Sequence, residues 1–233
     1  MTPDSLGDYT ITRLLGRGGQ AEVYEGFDPD LDRAVAIKVI LPAVAGEPGF
    51  EERFRREARL VASLRHPHIV QVFDFDVADG KPFMVMEYLK GDTLKTRLAD
   101  LRSRGQTMPL AEIARILDAL ASALDYAHGR GAIHRDIKPA NILFTEQDEP
   151  VVVDFGIARL LSDAAQLTAQ GQIVGTPAYM APEQARGESV DATCDQYSLV
   201  VVLYEMATGR TPFQGESPTA LLMQHVNNPP PPP

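Results

Sequence analysis

The sequence predicts an α+β fold in which strands come early in the chain and helices come later. Residues 23–27 alternate apolar and polar side chains, which is the pattern of a half-buried strand. Residues 54–64 and 110–124 instead repeat apolar side chains every three or four positions, as an amphipathic helix does. Pro109 can begin the second of these helices, and Gly129 can end it. The 233-residue chain is long enough to bury a large core in one or two domains.

A glycine-rich segment precedes the alternating strand and has the pattern of a loop that covers phosphates. Residues 15–23 read LGRGGQAEV, which fits G-x-G-x-x-G-x-V except that Ala21 stands at the third glycine. The glycines that would approach the phosphates are Gly16, Gly18 and Gly19. A dinucleotide-binding turn is the alternative, but that turn requires a helix after the glycines, whereas this segment leads into a strand. We therefore expect a strand–loop–strand hairpin over a nucleotide.

The next strand ends in the motif VAIK at residues 35–38. Lys38 would contact the α- and β-phosphates of a nucleotide and a carboxylate on the following helix. In that helix, Glu57 lies at the edge of the apolar face. A charge beside the core is costly unless it is paired. A solvated Glu57 among neighbouring arginines is the alternative; we favour a Lys38–Glu57 ion pair, because two inward charges of opposite sign satisfy each other.

Two short polar motifs follow in the second half of the chain. Residues 134–141 read HRDIKPAN, and residues 154–156 read DFG directly after the apolar strand 151–153. Both fit patterns of phosphoryl-transfer enzymes, with Ile137 where the first pattern usually has leucine. A solvated loop that contains these residues by chance is the alternative. The order and spacing of the two motifs argue against it.

The residue types in these motifs suit the transfer of a phosphoryl group. Asp136 can accept the proton of an incoming hydroxyl, and Lys138 can reach the oxygens of the transferred group. Asn141 and Asp154 can bind Mg²⁺ through an amide oxygen and a carboxylate oxygen, which are the hard ligands that this ion prefers. The sequence therefore predicts Asp136, Lys138, Lys38 and Glu57 as catalytic residues and Asn141 and Asp154 as metal ligands.

The chain resembles the eukaryotic-like serine/threonine protein kinases of bacteria. The resemblance runs from about Tyr9 to the C-terminus and is carried by LGRGGQAEVYEG, RFRREARLVASLRHPHIV, FMVMEYLKGDTL, HRDIKPANIL, VVVDFGIAR, GTPAYMAPEQ and DQYSLVVVLYEMATGRTPF. Lys138 and the segment GTPAYMAPE resemble serine/threonine kinases more than tyrosine kinases. The resemblance implies ATP-dependent transfer of the γ-phosphoryl group to Ser/Thr hydroxyls of protein substrates, with ATP and Mg²⁺ as cofactors.

The resemblance also implies an architecture. One protein kinase domain would span residues 9–233, with a small lobe of antiparallel sheet and one helix at 9–86. A larger, mainly helical lobe would span 87–233 and end in a proline-rich tail at 229–233. Asp195 would brace the backbone of the catalytic loop from a central helix.

Residues of the nucleotide site are implied in the same way. Met86 would close the back of the adenine pocket, and the backbone of Glu87 and Leu89 would face the adenine as a hinge. Asp92 would contact the ribose. The apolar residues that would enclose the base are Leu15, Val23, Ala36 and Leu143. For any one of these apolar residues taken alone, ordinary core packing is the alternative.

Composition and charge argue against nucleic-acid binding, an internal disulfide and a membrane span. The formal net charge of −10 argues against nucleic acid as a primary partner. Cys194 is the single cysteine, which excludes an internal disulfide and fits a reducing cytosol. The longest apolar run, 199–204, is too short to span a bilayer. We expect a cytoplasmic chain, or the cytosolic part of a membrane-anchored protein, and the sequence leaves a homodimer open.

Thr168 lies between the DFG and APE motifs, where an activation-loop phosphosite is expected. Arg135 offers a partner for a phosphate on this residue, and phosphorylation could order the loop through that pairing. A solvated threonine without modification is the alternative. We predict autophosphorylation at Thr168.

The C-terminus bears on the expected activity. The resemblance implies more helices after the segment TALLMQHV at 219–226 and an arginine for Glu183, whereas the chain ends at Pro233 without an arginine after Arg210. We expect a large lobe that is truncated at its C-terminus. Two alternatives to an active kinase are an inactive fragment and a pseudokinase that acts by binding. The intact catalytic and metal-binding residues argue against the pseudokinase.

Overall fold

The computed structural model describes two compact units. The residues that it describes are 5–19, 21–41, 49–155 and 176–233. Of these, the first unit contains those between 5 and 65 and those at 70–89, and the second contains 66–69 and those from 90 onward.

The first unit is built on a six-stranded antiparallel sheet with the strand order β1-β2-β3-β4-β6-β5. The strands are β1 Ser5–Leu6, β2 Tyr9–Arg17, β3 Ala21–Asp28, β4 Arg33–Ile40, β5 Val72–Ala78 and β6 Lys81–Glu87. Strand β4 is rich in β-branched residues, which pack well on a pleated surface. The strands predicted at residues 23–27 and 35–38 lie within β3 and β4, so both predictions are confirmed.

The register of the sheet separates its two faces. Val23 lies opposite Lys38, and Ala36 lies opposite Met86. Residues that lie opposite each other share a face, as do alternate residues of one strand. One face therefore carries these four residues. The other face carries the hydrophobic core of the unit, formed by Leu6, Tyr24, Val35, Ile37, Val39, Phe83 and Val85.

Among the described residues of the first unit there is one helix, α1 (Phe50–Ala62). Its apolar face is buried, as the spacing predicts, and includes Phe54, Ala58 and Val61. The ring of Phe54 meets the ring of Phe75 on β5 edge to face, with centroids 6.3 Å apart. This packing places the adjacent Glu57 inside the unit, with an exposure of 7%.

The second unit is mainly helical. Its helices are α2 Leu94–Ser103, α3 Leu110–His128, α4 Pro182–Arg186, α5 Thr193–Thr208 and α6 Pro218–Asn227. A short antiparallel hairpin of β7 (Ile142–Phe144) and β8 (Pro150–Val152) lies between the two polar motifs. Strand β7 follows the first motif, and β8 precedes the second. Helix α3 follows Pro109 and is followed by Gly129, as predicted from the sequence.

Helix α5 lies at the centre of the second unit and buries residues on several sides, among them Asp195, Ser198 and Val202. Val200 is 61% exposed, so its side chain stays out of the core. None of the helices within the described residues is both long and apolar enough to cross a membrane.

Candidate active site

The backbone of the catalytic loop, which is the motif at residues 134–141, is held by Asp195 on α5. One carboxylate oxygen accepts the main-chain N–H of His134 at 2.8 Å, and the other accepts that of Arg135 at 2.7 Å. His128, the last residue of α3, donates from Nε2 to the same carboxylate at 2.8 Å. Burial alone would raise the pKa of Asp195, but hydrogen bonds from these partners outweigh it and hold the pKa below the usual value. The loop thus rests on a buried carboxylate, to which Cys194 Sγ also donates at 3.6 Å.

His134 connects the catalytic loop to the strand that leads into the DFG motif. Its Nε2–H donates to the carbonyl oxygen of Val153 at 2.8 Å, and its Nδ1 accepts the N–H of Asp136 at 3.2 Å. These two partners determine which ring nitrogen carries the proton. The ring also lies edge-on to Phe155, with centroids 4.6 Å apart. Because His134 is fully buried, the two motifs are packed together within the second unit.

Asp136 receives two donors on the same oxygen. Lys138 Nζ lies 2.6 Å from Oδ2, and Asn141 Nδ2 lies 3.1 Å from it. Asn141 Nδ2 also donates to the main-chain carbonyl of Asp136 at 2.8 Å. With Oδ2 so engaged, Oδ1 is the oxygen that can accept a proton from a hydroxyl. The structure therefore brings together three of the residues predicted for the site.

Asn141 and Asp154 are brought close by the backbone. The N–H of Val153, the residue before Asp154, donates to the carbonyl of Asn141 at 3.0 Å. The amide nitrogen of Asn141 points to Asp136, so its Oδ1 is the atom left for a metal ion. Within the described ranges there is no group of three or more His, Cys, Asp or Glu that could hold a metal. Two oxygen ligands still fit Mg²⁺, which binds through one or two carboxylates together with substrate phosphates.

The floor of the predicted base site lies on β7, against the segment 91–93. The N–H of Phe144 donates to the carbonyl of Asp92 at 3.0 Å, and Thr93 forms an isolated bridge with Leu143. A Cβ at Gly91 would lie 2.1 Å from the carbonyl oxygen of Phe144. Only glycine permits this approach. Gly91 was not predicted from the sequence, although it lies beside the predicted Asp92. His128 was not predicted either, and no pattern in the sequence marks it.

The residues predicted on the first unit lie on its sheet and helix. Lys38 on β4 is 8% exposed and Glu57 on α1 is 7% exposed. Two such charges in one unit favour a pair, since burial of an uncompensated charge is costly. Glu57 also has Arg56 Nη2 at 3.6 Å, the neighbour foreseen in the alternative interpretation. The Lys38–Glu57 pair stays a prediction.

The predicted phosphate-covering loop and the predicted hinge lie at the ends of strands. Leu15 and Gly16 lie in β2, and the N–H of Gly18 donates to the carbonyl of Ala21 at 2.9 Å. Met86 is buried at the end of β6. The N–H of Glu87 donates to the carbonyl of Gln71 at 2.9 Å, so the carbonyl of Glu87 is its group left for an adenine. Exposed members of the predicted set are Leu15, Gly16, Gly18, Gly19, Glu87 and Asp92.

Two of the sequence-based predictions lie outside the described residues. They are the glycine of the DFG motif, Gly156, and the phosphosite Thr168.

Comparison with known proteins shows the family and the relatives of the chain. Residues 9–229 match the protein kinase domain family. The chain is 44% identical over 237 residues to the serine/threonine-protein kinase PknB of Mycobacterium leprae, covering 100% of this chain and 38% of that protein. It is 44% identical over 231 residues to a probable PknB of Bifidobacterium longum, covering 95% of this chain and 33% of that protein. The chain thus spans about a third of the length of the curated relatives that it matches.

A solved structure agrees in fold. The kinase domain of PknI from Mycobacterium tuberculosis superposes with a TM-score of 0.74 at 35% identity, covering 90% of this chain and 76% of that one. Together with the family match, this confirms the α+β kinase fold predicted from the sequence. Members of this family generally use ATP and Mg²⁺ and act on proteins. The chain belongs to the protein kinase domain family, with bacterial serine/threonine kinases among its relatives.

Proposed function

We propose that this chain is a serine/threonine protein kinase that transfers the γ-phosphoryl group of ATP to hydroxyls of protein substrates. The observation that carries the proposal is the arrangement around Asp136, where Lys138 and Asn141 share one carboxylate oxygen at 2.6 and 3.1 Å. A carboxylate that is held on one oxygen presents the other in a defined direction. Such positioning is most of what an enzyme supplies to phosphoryl transfer.

Each residue has a role in this proposal. Asp136 accepts the proton of the substrate hydroxyl, and Lys138 places a positive charge beside the transferred group. Lys38 binds the α- and β-phosphates and is positioned by Glu57. Serine and threonine are the proposed acceptors because the relatives named above are serine/threonine kinases and because Lys138 follows the base by two residues.

ATP and Mg²⁺ are the proposed cofactors. Asn141 and Asp154 would hold Mg²⁺, and the ion would neutralise negative charge on the phosphates. Gly16, Gly18 and Gly19 would cover the phosphates, and Ala36, Met86 and Leu143 would enclose the base. Support comes from the oxygen ligands and from the sheet face that carries Val23, Ala36, Lys38 and Met86 together.

A phosphotransfer assay tests the proposal. The chain is incubated with Mg²⁺ and γ-labelled ATP, with and without a generic basic protein, and incorporated phosphate is counted. We expect incorporation on serine and threonine that disappears in Asp136→Asn. Nucleotide binding by the native chain without any incorporation would instead identify a pseudokinase.

Autophosphorylation at Thr168 is part of the proposal. Mass spectrometry of chain incubated with Mg-ATP should find phosphate on Thr168, and Thr168→Ala should lose that peak. An active sample with phosphate elsewhere and none on Thr168 contradicts this assignment.

We also propose that the chain is located in the cytosol and that it can form a homodimer. The single cysteine, Cys194, is buried and unable to form a disulfide within the chain, which fits a reducing compartment. Light scattering at several protein concentrations tests self-association.

A further inference from the structure

The side chain of Gln184 on α4 bridges this helix and the catalytic loop. Its Nε2 donates to the main-chain carbonyl of Arg135 at 2.9 Å, and its Oε1 accepts the N–H of Ala181 at 3.1 Å. A main-chain N–H can only donate and a carbonyl can only accept, so the two partners determine the orientation of the amide. Ala181 is fully buried, which anchors one end of the bridge in the core of the unit.

The carbonyl that Gln184 contacts belongs to the peptide group between Arg135 and Asp136. The N–H of the same peptide group donates to His134 Nδ1 at 3.2 Å. A peptide group is planar, so a hydrogen bond at each edge fixes the rotation of the whole plane. The Cα of Asp136 is one corner of that plane. Its orientation therefore sets the direction in which the carboxylate leaves the backbone.

The backbone at this point needs such support. Arg135 has a φ of 67°, a left-handed conformation that costs a non-glycine residue about 1 kcal/mol or more. Asp195 holds the loop through the N–H groups of His134 and Arg135, both of which precede the carbonyl in question. Gln184 is the side chain that restrains the opposite edge of the turn.

We propose that Gln184 is a positioning residue that orients Asp136 through the carbonyl of Arg135. The inference rests on the proposed function, since the direction of the Asp136 carboxylate affects turnover only where Asp136 acts as the base. Gln184 does not contact the carboxylate of Asp136 itself. Through Ala181, the same bridge ties the catalytic loop to the segment that precedes α4.

The variant Gln184→Glu tests the donor. It keeps the shape of the side chain and an oxygen for Ala181, but it places a second oxygen against the carbonyl of Arg135 and repels it. We expect kcat to fall about tenfold or more, since small misplacements of reacting groups are expensive. KM for ATP should stay within about twofold, because the nucleotide contacts lie on other residues. Gln184→Met removes both hydrogen bonds without repulsion. Its kcat should lie between that of the native chain and that of Gln184→Glu.

The dependence on pH distinguishes positioning from a structural role. A protonated carboxyl group is a donor and can replace the lost Nε2 bond. The ratio of kcat for Gln184→Glu to that of the native chain should therefore rise as pH falls from about 8 to about 5.5, toward the pKa range of a half-buried glutamic acid. The same ratio for Gln184→Met should stay flat.

Gln224→Glu is the matched control. Gln224 Nε2 donates to the carbonyl of Gln214 at 2.7 Å, the same kind of bond at a place far along the chain from the catalytic loop. It should reduce stability as the Gln184 variants do but leave kcat near the native value. A kcat for Gln184→Glu within twofold of native, in an active enzyme, would overturn the inference and leave the proposed function intact.

Hydrogen exchange at the amide of Asp136 gives a readout that does not need turnover. In the native chain this N–H is bonded to His134, and we expect its exchange to be faster in Gln184→Met than in native chain or Gln224→Glu. If the native chain transfers no phosphate, the proposed function fails, and this exchange rate alone decides the inference. Equal exchange in all three proteins would overturn it.

Discussion

Asp136, Lys138 and Asn141 form a triangle of polar side chains around one carboxylate oxygen. The two donors approach Oδ2 at 2.6 and 3.1 Å, which leaves Oδ1 for the proposed proton transfer from a substrate hydroxyl. The arrangement depends on the left-handed φ of Arg135, because an extended residue there would turn the carboxylate elsewhere. At the scale of single residues, activity should therefore depend on groups that neutralise phosphate charge and on groups that hold this turn.

Removing the charge of Lys38, the predicted phosphate ligand, or of Asp154, the predicted metal ligand, should strongly slow turnover and preserve the fold. Lys38→Met keeps the length of the side chain without its charge, and Asp154→Asn keeps its shape. We expect each to reduce the rate of phosphate incorporation by about 10²-fold to 10³-fold, as for other groups that stabilise developing charge. Circular dichroism should remain native. Lys81→Met, at an exposed position of the same sheet, serves as control and should keep native activity.

Asp195→Asn should destabilise the chain and slow turnover together. The amide offers one acceptor to the two N–H groups of His134 and Arg135 and turns a donor toward the other. A buried N–H without an acceptor costs about 1–3 kcal/mol, so urea unfolding should show a loss of at least that size. Native stability in this variant would show that the loop does not need the carboxylate.

The lowered pKa of Asp195 predicts that the stability of the chain depends on pH. The pKa of Asp195 is lower in the folded chain than the ordinary aspartate value of about 3.9. Its contribution to the free energy of unfolding is thus complete above about pH 4 and is lost as pH falls below that value toward the folded pKa. The difference in unfolding free energy between native chain and Asp195→Asn should shrink in this window. For Asp100→Asn, an exposed carboxylate, the difference should stay small throughout.

At the scale of elements, the β7–β8 hairpin is held by side chains from two helices. Arg97 on α2 and Arg115 on α3 both pair with Asp148 in the hairpin turn, Arg115 at 2.7 Å. The Arg97 hydrogen bond, with help from Arg115, lowers the pKa of this carboxyl. Arg97 also stacks over the ring of Phe144 at 3.4 Å. These contacts position Leu143, the predicted floor of the base site, without touching a nucleotide themselves.

Gly91→Ala should weaken nucleotide binding. The new Cβ would meet the carbonyl oxygen of Phe144 at 2.1 Å, so the segment 91–93 must move away from β7. Asp92 and Leu143 would then separate, and we expect KM for ATP to rise more than kcat falls. Gly129→Ala is the control, because its nearest contact would be an ordinary 3.4 Å. Equal KM values in the two variants would contradict the role of Gly91.

At the scale of the whole molecule, nucleotide and metal should act as one ligand. Asn141 and Asp154 would hold Mg²⁺, and the ion would neutralise the charge of the phosphates, so ADP should bind tightly only with the metal. A ligand at about 100 times its Kd adds about 2.7 kcal/mol to the free energy of unfolding, which raises Tm by several degrees. Calorimetry should find this rise with Mg-ADP and lose it on addition of a chelator. A shift that survives chelation, or that persists in Asp154→Asn, contradicts the metal assignment.

The sequence by itself determined the fold class and the family, and it predicted the chemistry-bearing residues. Local patterns carried this information: period-two alternation marked β3, apolar spacing marked α1 and α3, and the HRD and DFG motifs predicted a base and two metal ligands. Such signals lie within one element or one short loop, where neighbours in sequence are neighbours in space.

Only the tertiary structure decided which residues support the site. Gly91 meets β7 some fifty positions along the chain, and Gln184 reaches the catalytic loop from α4. His128 on α3 donates to Asp195, the brace that the resemblance implied. The need for Gly at 91 and for an amide at 184 arises from a carbonyl oxygen on another element. A backbone atom looks the same in every sequence, so no local pattern records where it will lie. Contacts with it become visible only once the chain is folded.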